Sequence, residues 1–221
     1  MNAMILIDHR CKEYRRLRNL SFGARYNGAY YYSKEIVSNI VPKVKTDRNW
    51  ITVNVRDMGC DHAIVFVHNN MHPENYEWLK KYDDLILVCG IPSTVQKVEH
   101  IARAIYLPLS IDVQDVLQYE TNKTKNVAYA GRAAKRKDTP LWGIDHLEGM
   151  PRDQLLRRMA EYRKIYAVGR TAIEAACLGC EILPYDPRYP DPSIWKVVDN
   201  SEAAIMLQEK IDEIDGQHHK P

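Results

Sequence analysis

The stretch AVGRTAIEAACLGCEILPY, residues 167–185, decides how the chain is read. Ala167 and Val168 close an apolar strand, Gly169-Arg170-Thr171 makes a turn, and a short helix follows. Gly179 stops that helix, and Glu181 to Tyr185 form a second strand. Arg170 and Glu174 flank the opening turn of a helix enclosed between two strands. Either the pair holds the turn together, or the turn holds a ligand.

The same alternation runs outward in both directions. Short runs rich in Ile, Val and Leu predict strands at 4–8, 50–55, 63–68, 85–89 and 104–107, as expected of strands covered on both faces. Between them, Ala29, Tyr32, Ile36, Val37 and Ile40 share a helical face that ends before Pro42. Pro73 opens a helix carrying Trp78 and Leu79, and Ser93 with Gln96 suggests a capping box before Val95, Val98 and Ile101. A polar connector, YETNKTKN at 119–126, precedes a second series. It has strands at 127–130, 144–147, 165–168, 181–185 and 195–198, and helices over 151–163 and 201–214. Repeated βαβ units imply an α/β fold of two Rossmann-like, doubly wound parallel-sheet domains facing a cleft. The domains are residues 1–108 and 109–221, with a hinge near 109–124. Ligands of such sheets bind outside the carboxyl ends of the strands.

Composition bounds the function. With 45% apolar and 27% charged residues, the chain can bury a real core. No window approaches the roughly 18 apolar residues of a membrane span. The opening MNAMILIDHRC reads as a first strand, not as a signal peptide. The five cysteines are Cys11, Cys60, Cys89, Cys177 and Cys180, an odd set without framework spacing, as expected of reduced thiols in a cytoplasmic protein. A net charge of +2 names no partner, although RCKEYRRLR at 10–18, with Arg25 beyond, is locally basic. That run suits either a solvated face or an anion site for phosphate or nucleic acid.

Two strand ends carry candidate chemistry. NVAYAGR delivers Gly131 and Arg132, with Lys135, Arg136 and Lys137 following. A glycine there lets backbone approach a ligand, and the cations suit a diphosphate, though a basic surface loop has the same composition. At the second end, Gly169 permits the turn, and the first amides of the helix at Arg170 and Thr171 lack intrahelical partners. Glu174 can accept from a ribose diol, or close a capping box with Thr171 on its own helix. The residues alone leave both roles open.

AIYLPLSID at 104–112, NVAYAGRAAKRK at 126–137 and YAVGRTAIEAACLGCEILPY at 166–185 resemble, in order and spacing, the donor-binding half of GT-B fold glycosyltransferases. Small bacteriophage-type glycosyltransferase-like proteins are nearest in character. The resemblance implies metal-independent transfer from a nucleotide sugar, a UDP-sugar first among them, with no further cofactor. It places Arg132 and Lys135 or Lys137 on the diphosphate and Glu174 on the ribose. Gly131, Gly169, Arg170 and Thr171 complete the donor side.

The first half would hold the acceptor and any base. Asp8 and His9 end the first strand, His68 and Asn69 the third, and Gly90 the fourth, while Tyr26 lies on the loop after the first. Asp8 or His68 is the candidate base for an inverting reaction, and His9, Asn69, Gly90 and Tyr26 are candidates for the acceptor side. A histidine at a strand end serves structure as readily. The acceptor is unnamed; DNA is one class, through phosphate contacts of Arg15, Arg16, Arg18 and Arg25. Two alternatives follow: a non-catalytic nucleotide or nucleotide-sugar binder, and a DNA-base glycosyltransferase of phage type. Cys177-Leu-Gly-Cys180 straddles a helix end, the wrong place for a reactive pair. Neither a Walker loop nor a G-x-G-x-x-G run occurs.

Overall fold

The computed structural model describes residues 5–6, 35–51, 62–67, 77–131, 143–186 and 189–218. They form an α/β, Rossmann-like structure with two wholly parallel sheets. The strands are β1 (Ile5–Leu6), β2 (Asn49–Ile51), β3 (Ala63–Val67), β4 (Leu85–Cys89) and β5 (Arg103–Tyr106), then β6 (Lys125–Tyr129), β7 (Asp145–His146), β8 (Tyr162–Tyr166) and β9 (Glu181–Leu183). The α-helices are α1 (Pro92–Val98), α2 (Val113–Leu117), α3 (Arg152–Ala160), α4 (Arg170–Cys177) and α5 (Asn200–His218). Among the described residues no helix is long and apolar enough to cross a membrane.

Two compact units result, one drawn from Ala29–Pro108 and Asn200–Pro221, the other from Leu109–Asp199. The sequence reading runs the second half to residue 221, whereas packing assigns the described part of 200–221 to the first unit.

In the first unit β4 pairs along all of β3, while β2 and β1 take successive stretches of the opposite edge of β3. β5 lies beyond β4. All ten residues of β3 and β4 are buried, which explains their unbroken apolar sequence. Alternation sorts them: Ala63, Val65, Val67, Leu85, Leu87 and Cys89 face Leu79, Tyr82, Val98 and Ile101. On the opposite face Trp50 stacks on Phe66, with ring centroids 5.8 Å apart. Burial also pushes the Cys89 thiol up to about 12.

The expected Ser93 cap does not form. Pro92 takes the first helical position, where its missing N–H is no loss, and extended Ile91 is the cap residue. The described part of the helix expected from Pro73 is a 3₁₀ turn, Glu77–Lys81. That of the helix before Pro42 is a π-type turn, Ile36–Ile40, followed by a 3₁₀ turn containing the proline.

The terminal helix α5 buries Ala203, Ala204, Leu207, Ile211 and Ile214 at helical spacing. Polar ties fix it within the first unit. Gln208 donates to the Lys45 carbonyl at 2.9 Å and accepts from the Lys45 amide at 2.6 Å. Arg48, its side chain 1% exposed, donates to Asp215 from Nε at 3.0 Å and Nη2 at 2.6 Å, and to Asp84 from Nη1 at 2.9 Å. His62 Nδ1 lies 2.6 Å from the other Asp84 oxygen. This clasp sits where β3 and β4 begin.

In the second unit the order is β7-β6-β8-β9. The strand expected at 195–198 is absent; Pro192–Ile194 makes a 3₁₀ turn, its first amide lost to proline, and the ladder contact nearby is an isolated Ile111–Asp199 bridge.

Candidate functional site

Within the second unit the chain starts in the middle of its sheet. From β6 it moves out to β7, then returns past β6 to place β8 on the other side. The order therefore reverses between β6 and β8. In open parallel sheets ligands bind at such a reversal, outside the carboxyl ends of the strands. Tyr129 pairs with Tyr166 there, and the ladder continues one step to an Ala130 N–H bonded to the Tyr166 carbonyl at 2.9 Å. Gly131 follows the first strand end and Gly169 the second.

The two glycines are required for different reasons. Gly169 has φ 65° and ψ −140°, a conformation that a side chain strongly disfavours. That turn aims the chain into α4, whose first bonds run from the Ala172 and Ile173 amides to the Gly169 carbonyl at 3.0 and 3.2 Å. The cap has no side-chain hydrogen bond, so Thr171 and Glu174 do not close a capping box. At Gly131 the reason is space: a Cβ would lie 2.6 Å from Cε2 and Oη of Tyr185. The Tyr185 ring stacks on Tyr129 at 5.1 Å, and the two hydroxyls are hydrogen-bonded. Tyr129 also lies 5.7 Å from the exposed His146 ring, and Tyr189 meets Tyr185 edge-on at 5.1 Å. An aromatic ledge thus floors this edge of the sheet.

One turn into α4, Glu174 is the electrostatic centre. Its side chain is only 4% exposed, and its Oε1 accepts from Arg170 Nε at 2.9 Å and from Arg152 Nε at 2.8 Å. Arg152 also donates from Nη1 to Asp115 Oδ2 at 2.6 Å. Burial works against the charge of Arg152, but the fields of Glu174 and Asp115 outweigh it and raise its pKa. Both arginines stand at the first position of their helices, α3 and α4. A cation there opposes the helix dipole, and a nearby carboxylate offsets that cost. Glu174 supplies that charge to both.

Of the residues singled out from sequence, Gly131, Gly169, Arg170, Thr171 and Glu174 are at this edge of the second unit. Arg170 is buried and Thr171 half-buried. Gly90 is buried at the carboxyl end of β4 in the first unit, leading into α1. Asp8, His9, Tyr26, His68, Asn69, Arg132, Lys135 and Lys137 lie outside the described residues. Arg152 and Asp115 escaped the sequence reading because their pairing spans 37 residues; the one local hint is an arginine placed against the helix dipole directly after Pro151.

Cys177 and Cys180 are free, and burial raises both thiols. Among the described residues no three His, Cys, Asp or Glu side chains gather as metal ligands would. Comparison with protein-family models, curated proteins and solved structures finds no match.

Proposed function

We propose that the chain is a small GT-B-like glycosyltransferase whose second unit binds a nucleotide-sugar donor, a UDP-sugar, at the reversal between β6 and β8. The observation that carries this reading is the coincidence of that reversal with glycines on both strand ends and an oriented carboxylate in the following helix. In this reading the amides at the start of α4, with Arg132 and Lys135 or Lys137, meet the diphosphate. Glu174 takes the ribose diol. As the bond to the sugar breaks, negative charge grows on the departing diphosphate, and fixed donors held against it lower the barrier. The first unit would bring the acceptor and, for inversion, Asp8 or His68 as base.

A second reading has a specific observation behind it. Glu174, Arg152, Arg170 and Asp115 already neutralise one another, an arrangement equally suited to a unit that binds a nucleotide without transferring sugar. A melting-temperature screen against UDP, other nucleoside diphosphates and their sugars separates the cases. A rise with UDP and its sugars supports the site, and release of UDP on adding acceptor supports transfer. A chain that melts identically with every nucleotide refutes both readings.

A further inference from the structure

Arg170 and Glu174 are four residues apart on one helix, so their ion pair moves as a body with α4. It cannot by itself fix where the carboxylate points relative to the rest of the site. Among the described residues, the restraint on Glu174 from another element is Arg152, at the start of α3. Its side chain is 16% exposed and its Nη1 is anchored on Asp115 of α2. Both Nε donors converge on Oε1, and among the described residues no hydrogen bond is made to Oε2. A carboxylate pinned through one oxygen from two helices loses rotation about its terminal torsion, and the second oxygen stays available.

We propose that Arg152 is a positioning residue: it holds Oε1 of Glu174 so that Oε2 can accept from a vicinal diol, with Asp115 as the anchor of the guanidinium. This inference rests on reading the reversal between β6 and β8 as a nucleotide site. It adds two residues, Arg152 and Asp115, to the machinery that reads the ribose diol.

The test compares two probes, UDP and 2′-deoxy-UDP, by calorimetric titration of the full chain. Wild type should prefer UDP about tenfold or more, the ratio that one charge-assisted hydrogen bond supports. Arg152→Met should bring the ratio close to unity, as should Glu174→Gln. Asp115→Asn and Arg152→Lys should reduce it in part, because each loosens the fork without removing all charge. A purely structural role for Arg152 would weaken both probes alike and keep the ratio. Should Arg152→Met fail to fold, a full ratio retained in both Asp115→Asn and Arg152→Lys overturns the inference. Full discrimination in Arg152→Met overturns it while the nucleotide site stands. Wild type that binds neither probe overturns the site itself, and this inference with it.

Discussion

Gly131→Ala tests how the site's first strand ends. The new methyl would sit 2.6 Å from Cε2 and Oη of Tyr185 and 3.0 Å from Cζ, against a comfortable carbon contact of about 3.5–4.0 Å. The ring cannot swing away cheaply. Tyr185 is 4% exposed, stacked on Tyr129, bonded to its hydroxyl and met edge-on by Tyr189. Overpacking of this kind costs about 1–3 kcal/mol. Alanine also restricts the unfolded chain, a gain of about 0.4–1 kcal/mol where the backbone conformation is allowed, and Gly131 has no left-handed φ. The net expectation is a loss of roughly 1 kcal/mol. The assay is a double-mutant cycle by urea denaturation with Tyr185→Ala, which removes the obstructing ring. In that background Gly131→Ala should be neutral or slightly stabilising, giving a coupling of about 1–3 kcal/mol. Equal losses in both backgrounds would refute the packing argument. A fall in UDP affinity that persists without the Tyr185 ring would show instead that the glycine is needed for ligand approach.

Glu174→Ala should cost about 3 kcal/mol, because the buried guanidinium of Arg170 and the half-buried one of Arg152 lose their shared acceptor, whereas Glu174→Gln should cost less by keeping an oxygen on them; thermal unfolding of the two variants ranks them. In the first unit, the hydrogen bond that His62 donates to Asp84 raises the pKa of His62, so the charged imidazole stabilises fully below about pH 6.5 and that contribution disappears as pH rises through the folded value. Burial opposes ionisation of Asp84, but bonds from His62 and Arg48 win and lower its pKa, so its contribution is complete above about pH 4 and lost in acid. Melting temperature should therefore decline as pH rises above about 6.5 in wild type, with that slope flattened in His62→Gln; an unchanged slope would sink the assignment.

What was legible in the sequence follows from how many forces agreed at each place. β3 and β4 are buried on both faces, so apolar run and strand coincide, and 85–89 needs no adjustment. Gly179 reads as a helix stop, and it is one: φ is 75°, with the Gly179 amide on the Ala176 carbonyl and the Cys180 amide on that of Ala175, both at 2.9 Å. Local pattern failed where a distant partner decided. Thr171 and Glu174 have capping-box spacing, but Gly169 is the cap residue and Thr171 lies inside the first turn, while Glu174 pairs with Arg152, distant in sequence. Trp195 and Val198 are apolar and buried as a strand would require, yet the Trp195 and Lys196 amides are taken by turn bonds to the Pro192 and Ile194 carbonyls at 3.0 and 2.9 Å. Helix α5 is readable as a helix, but its home in the first unit depends on Arg48 and Lys45, more than 150 residues earlier by the 163- and 167-residue separations of their bonds.

The pairing of Arg170 with Glu174 settles what they do in the resting fold without settling why they are charged. Taking a guanidinium or carboxylate out of water costs several kcal/mol per ion, and mutual attraction in the interior only about repays it. Apolar side chains of similar volume commonly serve as well or better. Two buried charges and a half-buried one, Arg152, gathered at the reversal of a parallel sheet are therefore poorly explained by stability alone. The triple variant Arg152→Leu, Arg170→Met, Glu174→Leu separates the explanations. Asp115, about 40% exposed, remains hydrated when Arg152 is gone, so no buried charge is left behind. If the network exists for binding, the variant should unfold within about 1–2 kcal/mol of wild type in urea and lose its response to UDP. A loss of more than about 3 kcal/mol would mean that the charges hold the fold, and that the helix after Gly169 was shaped for its neighbours rather than for a ligand.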